Sequence, residues 1–201
     1  MARPKDADAA RRISEAVRAV MARGGPQSLS VRAVASEAGC STGLIMHTFA
    51  DKRALLAHAR ALQHERAARR LAAIDEDMAD APAAARLRET LMAALPDDDE
   101  RTQDARIWLG FLAAALDDDE LRARHVAGNR SFVERVRGLV GEARPDDPRL
   151  DVAATTLALV SLVEGLTSLS TADTELYSPE ARAAAVDRAL TAHGLGSLPP
   201  R

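Results

Sequence analysis

Between Ser30 and Phe49 two short helical patterns follow one another with a single glycine at the joint, and few folds accommodate that arrangement. In the first, Val31, Val34, Ala35 and Ala38 recur at helical spacing, and Ser30 stands ahead of them as an N-cap. Gly39 then offers a backbone able to take positive φ, and after Cys40 and Ser41 a second pattern from Thr42 to Phe49 turns Ile45 and Phe49 inward. Ala35 supplies a small side chain where two helices would touch. Taking Ile45 as the inward direction leaves Thr42, Gly43, Leu44, Met46 and His47 on the outer side of the second helix. A helix, a tight turn and a second helix with a polar outer face form the arrangement that presents a helix to the major groove of DNA.

The surrounding chain reads as helix throughout. Only 2% of residues are aromatic, and Ala, Leu, Arg, Glu and Asp dominate over β-branched runs, so an all-α fold without sheet is expected. With 47% apolar and 28% charged residues the chain should bury a real core. Ile13, Ala16, Val17, Val20 and Met21 predict a first helix from about Asp6 to Arg23, ended by Gly24, Gly25 and Pro26. Asp51 is placed to cap a longer fourth helix reaching about Ala79. Five more helical patterns follow, near 83–95, 101–116, 119–143, 149–171 and 179–193. The acidic clusters Pro96-Asp97-Asp98-Asp99, Asp117-Asp118-Asp119 and Pro145-Asp146-Asp147-Pro148 each precede one of these, where carboxylates suit the positive end of a helix. The expected organisation is a three-helix N-terminal domain over 1–56, a bundle of five to six helices over 57–195, and a tail over 196–201.

Charge divides along the same line. Residues 1–55 carry nine Lys or Arg against five Asp or Glu, a net +4, whereas the remainder holds 18 against 25, a net −7. A positive head on a negative body suits a protein that meets phosphate with one end. Cys40 is the only cysteine, so it reads as a small apolar residue under the turn, and neither an intrachain disulfide nor a thiolate metal cluster is expected. No run of 18 apolar residues and no apolar leader stand out, which predicts a cytoplasmic protein. Of enzyme signatures there is no His-Glu-x-x-His, phosphate loop or nucleophile elbow, and His58 and His64 lie six residues apart on different helix faces. No cofactor or metal is therefore expected. A helical protein-interaction module and a small helical enzyme stay open beside the DNA-binding reading.

The segment LSVRAVASEAGCSTGLIMHTFADKRALL, from Leu29 to Leu56, resembles the DNA-binding domain of the TetR family of repressors, in register without a gap at Ser30, Ala35, Ala38, Gly39, Gly43, Phe49 and Lys52. The resemblance covers roughly residues 10–56. It implies that base edges are reached from Arg32, Thr42, Gly43, Leu44 and Met46, with Arg32 able to donate two hydrogen bonds to guanine. It also implies phosphate contacts from Ser30, Ser41, Thr48 and Lys52 and from the arm residues Arg3 and Lys5. The family commonly has tyrosine where this chain has Met46, so operator preference does not carry across. His47 reads either as a phosphate or base contact or as a solvated histidine.

Residues from about Ala105 to Leu169 resemble the C-terminal domain of the TetR subgroup that contains the BetI repressors, on Trp108, Phe111, the acidic helix break and Glu164-Gly165-Leu166. That resemblance implies a two-fold dimer through the last two long helices, for which Val152, Leu159, Leu162, Val163, Leu166, Val186 and Leu190 are the candidate apolar contacts. It further implies a small-molecule effector that alters the separation of the two heads through the fourth helix. Met78, Met92, Trp108, Phe111 and Phe132, with Glu164 as a polar anchor, are the candidate pocket lining, although the same side chains at helical spacing also read as plain core. By analogy to choline-type ligands, Trp108 and Phe111 with Glu164 as counter-charge would suit a cation.

Overall fold

Short-range capping chemistry sets most of the helix boundaries in the computed structural model, which describes residues 4–196, residues 4–7 as backbone alone. Arg3, the Lys5 side chain and the tail beyond Gly196 lie outside the described residues. Among the described residues all regular structure is helical: α1 (Pro4–Ser28), α2 (Val31–Ala38), α3 (Thr42–Thr48), α4 (Lys52–Asp77), α5 (Ala83–Met92), α6 (Asp99–Ala115), α7 (Asp119–Ala143), α8 (Val152–Ser170) and α9 (Pro179–Ala192).

The predicted stop after Arg23 is a kink rather than an end. Gly25 sits at φ 65, ψ −167, outside helical space. Pro26, whose fixed φ and missing N–H suit the start of a helix, then begins one more turn. The Ser28 hydroxyl lies 2.9 Å from the Val20 carbonyl and 2.8 Å from that of Gly25, so its one proton is shared between two carbonyls at the kink.

Two of the acidic clusters cap as expected, whereas after the third, Pro145-Asp146-Asp147-Pro148, the cap of α8 is Asp151, outside the cluster. Asp98 accepts from the Arg101 amide at 2.7 Å, Asp118 from those of Glu120 and Leu121 at 3.0 Å, and Asp151 from that of Ala154 at 2.9 Å. Each satisfies amides that a helix start leaves without a partner.

The chain packs as two units, one of residues 4–66 with 102–126, the other of 67–101 with 127–196. The first unit thus joins the head to most of α6 and the start of α7. Its core runs from Val17, Val20 and Met21 of α1 through Val34 and Ile45 to Leu55 and Ala59 of α4 and Ile107, Phe111 and Ala115 of α6. Gly110 explains how α6 fits there: a Cβ at this position would lie 2.7 Å from both Met21 Cε and Pro26 Cδ. Only the absence of a side chain lets α1 and α6 approach so closely.

The second unit centres on Leu87 and Leu91 of α5, Val136 and Val140 of α7, Leu159 and Val163 of α8, and Val186 and Leu190 of α9. Two bidentate ion pairs brace its rim, Arg135 with Asp75 at 2.7 and 2.8 Å and Arg88 with Asp187 at 2.6 and 3.1 Å. The Arg135 guanidinium holds the Asp75 carboxyl below its ordinary range, chiefly through that hydrogen bond. Buried Arg182 donates to the Pro96 carbonyl at 3.1 Å and to Asp97 at 2.8 Å, giving the first acidic cluster a second task besides capping.

α8 departs from expectation. By length and composition it would suffice to cross a membrane. Within this unit it is a core helix on one side, where Leu159, Val163 and Leu166 are buried, while Leu157 is 68% and Leu169 49% exposed on the other. The expected dimer contacts are revised accordingly: Leu159, Val163, Leu166, Val186 and Leu190 belong to the protomer's own core, with Val152 and Leu162 partly buried against it. A side chain already buried in its own unit has no surface left to offer a second chain.

Candidate nucleic-acid interface

Two serine caps and one left-handed glycine hold the reading geometry. Ser30, extended at φ −150, ψ 159, accepts from the Ala33 amide at 3.1 Å and starts α2. Gly39 ends it at φ 63, ψ 40, where the Gly39 amide donates to Ser36 O at 3.3 Å and the Cys40 amide to Ala35 O at 3.0 Å. Two residues on, Ser41 accepts from the Leu44 amide at 3.3 Å and starts α3. Both serines use an oxygen lone pair for the cap, which leaves each hydroxyl proton available to a phosphate.

Ile45, fully buried, and Phe49, at the end of α3, anchor this helix in the first unit's core. Thr42, Gly43, Leu44, Met46, His47 and Thr48 are all exposed, as are Ser30, Arg32, Ser41 and Lys52. The predicted interface residues that are described therefore share the outer surface of one compact head. Thr48 is partly committed, since its hydroxyl donates to the Leu44 carbonyl at 3.0 Å. A two-fold hydrogen-bonded ion pair, Arg23 to Glu37 at 3.1 and 2.5 Å, ties α1 to α2, and Glu37 titrates below its ordinary range because of it.

His58 adds a contact that the spacing of residues did not reveal. Its Nε2 lies 2.9 Å from Ser14 Oγ and its ring 4.9 Å from that of Phe49, so α1, the end of α3 and α4 meet on one imidazole. Burial pushes its pKa down. Cys40 is half-buried against the core, in keeping with its reading as a small apolar residue.

The expected pocket lining divides between the two units. Trp108 and Phe111 belong to the first, and Met78, Met92, Phe132 and Glu164 to the second, where Asn129 donates to Glu164 at 3.2 Å. Phe111 is fully buried, with the Arg60 guanidinium 5.9 Å from its ring centroid and His125 6.4 Å away. Trp108 faces the same histidine at 6.3 Å.

The face of Phe111 is thus already met by a cation of the protein itself. His64 stands nearby, its pKa pushed down to about 4 by burial and by the charges of Arg60 and His125. This group draws on α4, α6 and α7, and only the fold brings it together. A separate open hollow of about 460 Å³ in the first unit is lined by Ala22, Arg23, Gly25, Arg106, Leu109 and Gly110, none of them an expected pocket residue. Among the described residues no three His, Cys, Asp or Glu side chains are grouped to hold a metal ion.

A short helix anchored from beneath by Ile45 and Phe49, and left bare above, defines a helix-turn-helix protein of the DNA-binding kind. Comparison with known proteins makes this specific. Residues 13–59 match the bacterial regulatory proteins of the tetR family, and residues 83–194, more than half of the chain, match the C-terminal part of BetI-type transcriptional repressors. The chain belongs to the TetR family of transcriptional regulators.

A similar curated protein is the HTH-type transcriptional regulator PksA of Bacillus subtilis (strain 168), 30% identical over 115 residues that span 56% of this chain and 55% of PksA. The chain thus matches about half the length of that relative. A transcriptional regulator from Rhodococcus sp. Rha1 has the same fold, with a TM-score of 0.79 at 24% identity over 94% of this chain and 98% of that one. So does a protein from Saccharomonospora viridis solved with choline, with a TM-score of 0.84 at 19% identity over 93% and 96%. FadR from Bacillus subtilis, solved with stearoyl-CoA, gives 0.72 at 20% over 88% and 95%.

Proposed function

We propose that this chain is a cytoplasmic, ligand-responsive repressor that binds a palindromic operator as a two-fold dimer and leaves it when a small molecule binds the C-terminal part. The observation that carries the reading is the exposed outer face of α3, capped by Ser41 and anchored by Ile45, at the positive end of the chain. Arg32, exposed on α2, is able to make a bidentate contact to guanine. Ser30, Ser41 and Lys52 serve as phosphate contacts that fix the docking register, and Thr48 joins them once its hydroxyl turns from the Leu44 carbonyl. His47, exposed on α3, is a further contact.

Two such heads about 34 Å apart would read successive major-groove turns, which asks for a dimer. The exposed side of α8, with Leu157 and Leu169, supports pairing there. An apolar helix that presents large side chains to water is stabilised when a second copy covers it. Regulators of this fold have been solved with ligands as unlike as choline and stearoyl-CoA, so ligand chemistry does not transfer with the fold. Here Arg60 over Phe111 disfavours a quaternary ammonium at that ring. The reading assigns the chain no catalytic activity.

Mobility shift of the purified protein on a pool of random duplexes, repeated over a salt series, tests the reading. The expected result is retention that falls steeply as salt rises, with a log–log slope set by the phosphates contacted. Retention indifferent to salt, or none at low salt, refutes it.

A further inference from the structure

Among the described residues few large apolar side chains are exposed, and two of them, Leu44 at 37% and Met46 at 63%, stand on the short helix α3. Their placement follows from helix geometry. With Ile45 directed into the core, Gly43 and His47 lie along the outermost line of α3, and Leu44 and Met46 flank that line on either side. Gly43 leaves this outermost line without a side chain near the start of α3. Nothing but Ser41 Oγ, at 3.8 Å, lies within ordinary contact distance of where its Cβ would stand. The outer face is therefore a bare notch between two apolar flanks.

The polar inventory of α3 is thin. Its sequence, TGLIMHT, contains no Lys, Arg, Asp, Glu, Asn or Gln, so the usual bidentate readers of guanine and adenine are absent from it. Thr42 and His47 are its free polar groups, and Thr48 spends its proton on the Leu44 carbonyl. What a docked α3 chiefly offers is apolar surface. On the floor of the major groove the four bases present donors and acceptors, with one apolar group among them, the C5 methyl of thymine.

We infer that this chain selects its operator in good part through thymine methyls, packed by Met46 on one flank of α3 and Leu44 on the other, with Arg32 as the one strong polar reader beside them. The inference rests on the proposed DNA-binding reading and specifies its chemistry. Phosphate contacts from Ser30, Ser41 and Lys52 set the register, and the apolar flanks then distinguish thymine from cytosine by a methyl group instead of a hydrogen bond.

Rounds of selection from random duplexes with the wild-type protein would supply the test sequence. Each thymine of the enriched duplex is then replaced in turn by deoxyuridine, which removes the methyl and keeps every hydrogen-bonding group. Affinities are measured by fluorescence anisotropy at one fixed salt concentration for the wild type, Met46→Ala, Met46→Gln and Leu44→Ala.

At one or more thymines per half-site the wild type should lose about four-fold on removal of the methyl, the factor expected for one buried methyl group. Met46→Ala and Met46→Gln should bind the thymine duplex less tightly and become indifferent to deoxyuridine at the positions that Met46 covers, and Leu44→Ala should do the same at its own. Deoxyuridine tolerated within two-fold at every position overturns the inference, as does undiminished sensitivity in all three variants. Failure of any sequence to enrich overturns instead the DNA-binding reading beneath it, so the two failures are distinguishable.

Discussion

Gly39 and Gly43 stand four residues apart in the head, and replacing each by alanine should move stability in opposite directions. Gly39 sits at φ 63, ψ 40, and a Cβ built there meets nothing within 4 Å. The cost of alanine is therefore purely one of backbone conformation, about 1–2 kcal/mol for an L-residue in the left-handed region. Restricting the unfolded chain returns about 0.4–1 kcal/mol of that, leaving Gly39→Ala destabilising by about 1 kcal/mol.

Gly39→Asn should cost less, since asparagine tolerates that region better. Gly43 is inside α3 and open to solvent, so Gly43→Ala should stabilise by up to about 1 kcal/mol. Trp108, the single tryptophan, belongs to the same packed unit, so its fluorescence during urea unfolding reports on the relevant transition. With a slope of about 2 kcal/mol per molar urea, the two alanine variants should move the midpoint by roughly 0.5 M in opposite senses. Equal signs for the two variants, or a neutral Gly39→Ala, would refute the assignment of a strained turn at Gly39.

Gly110→Ala should destabilise by about 1–3 kcal/mol by a different route, because its methyl would collide with Met21 and Pro26; an unchanged melting temperature would contradict the close approach of α1 and α6. Leu157→Asp, on the exposed side of α8, should give a monomer in sedimentation velocity, and a dimer that persists would locate the pairing surface elsewhere. Stability should fall as pH drops from 6.5 toward 4: the unfolded chain takes up a proton on His64 that the folded chain, with its pKa down at about 4, refuses. One proton corresponds to a slope of about 1.4 kcal/mol per pH unit, lessened here by the partial exposure of the ring, and His64→Phe should flatten that part of the pH profile measured by urea unfolding.

The sequence is most informative where the cause is local. Ser30, Asp51 and Asp98 announce helix starts because a cap needs only its own next few residues, and Gly39 announces the turn because a positive φ selects glycine. The head's buried and exposed faces follow from periodicity for the same reason, since Ile45 alone orients α3.

Legibility fails for α8, VAATTLALVSLVEGLTSLS, which is apolar over most of its circumference. Period then cannot say which apolar side meets its own core: Leu159 and Val163 are buried within their unit, and Leu157 and Leu169 lie on the exposed side. The turn from Pro26 to Ser28 also escapes, because Gly24-Gly25-Pro26 reads as a full stop although proline is well suited to begin a helix anew. The meeting of Arg60, Phe111 and His125 has no sequence signal, since those residues come from three helices.

Phe111 and Ile45 belong to one continuous buried cluster, and that has a mechanical consequence. A core at crystal-like density yields little when compressed, so a disturbance of a single methylene's volume beside Trp108 or Phe111 is not absorbed where it arises. Its effect is passed along the cluster to which Ile45, beneath α3, also belongs. The proposed reading helix and the buried face of α6 thus rest on one packed core.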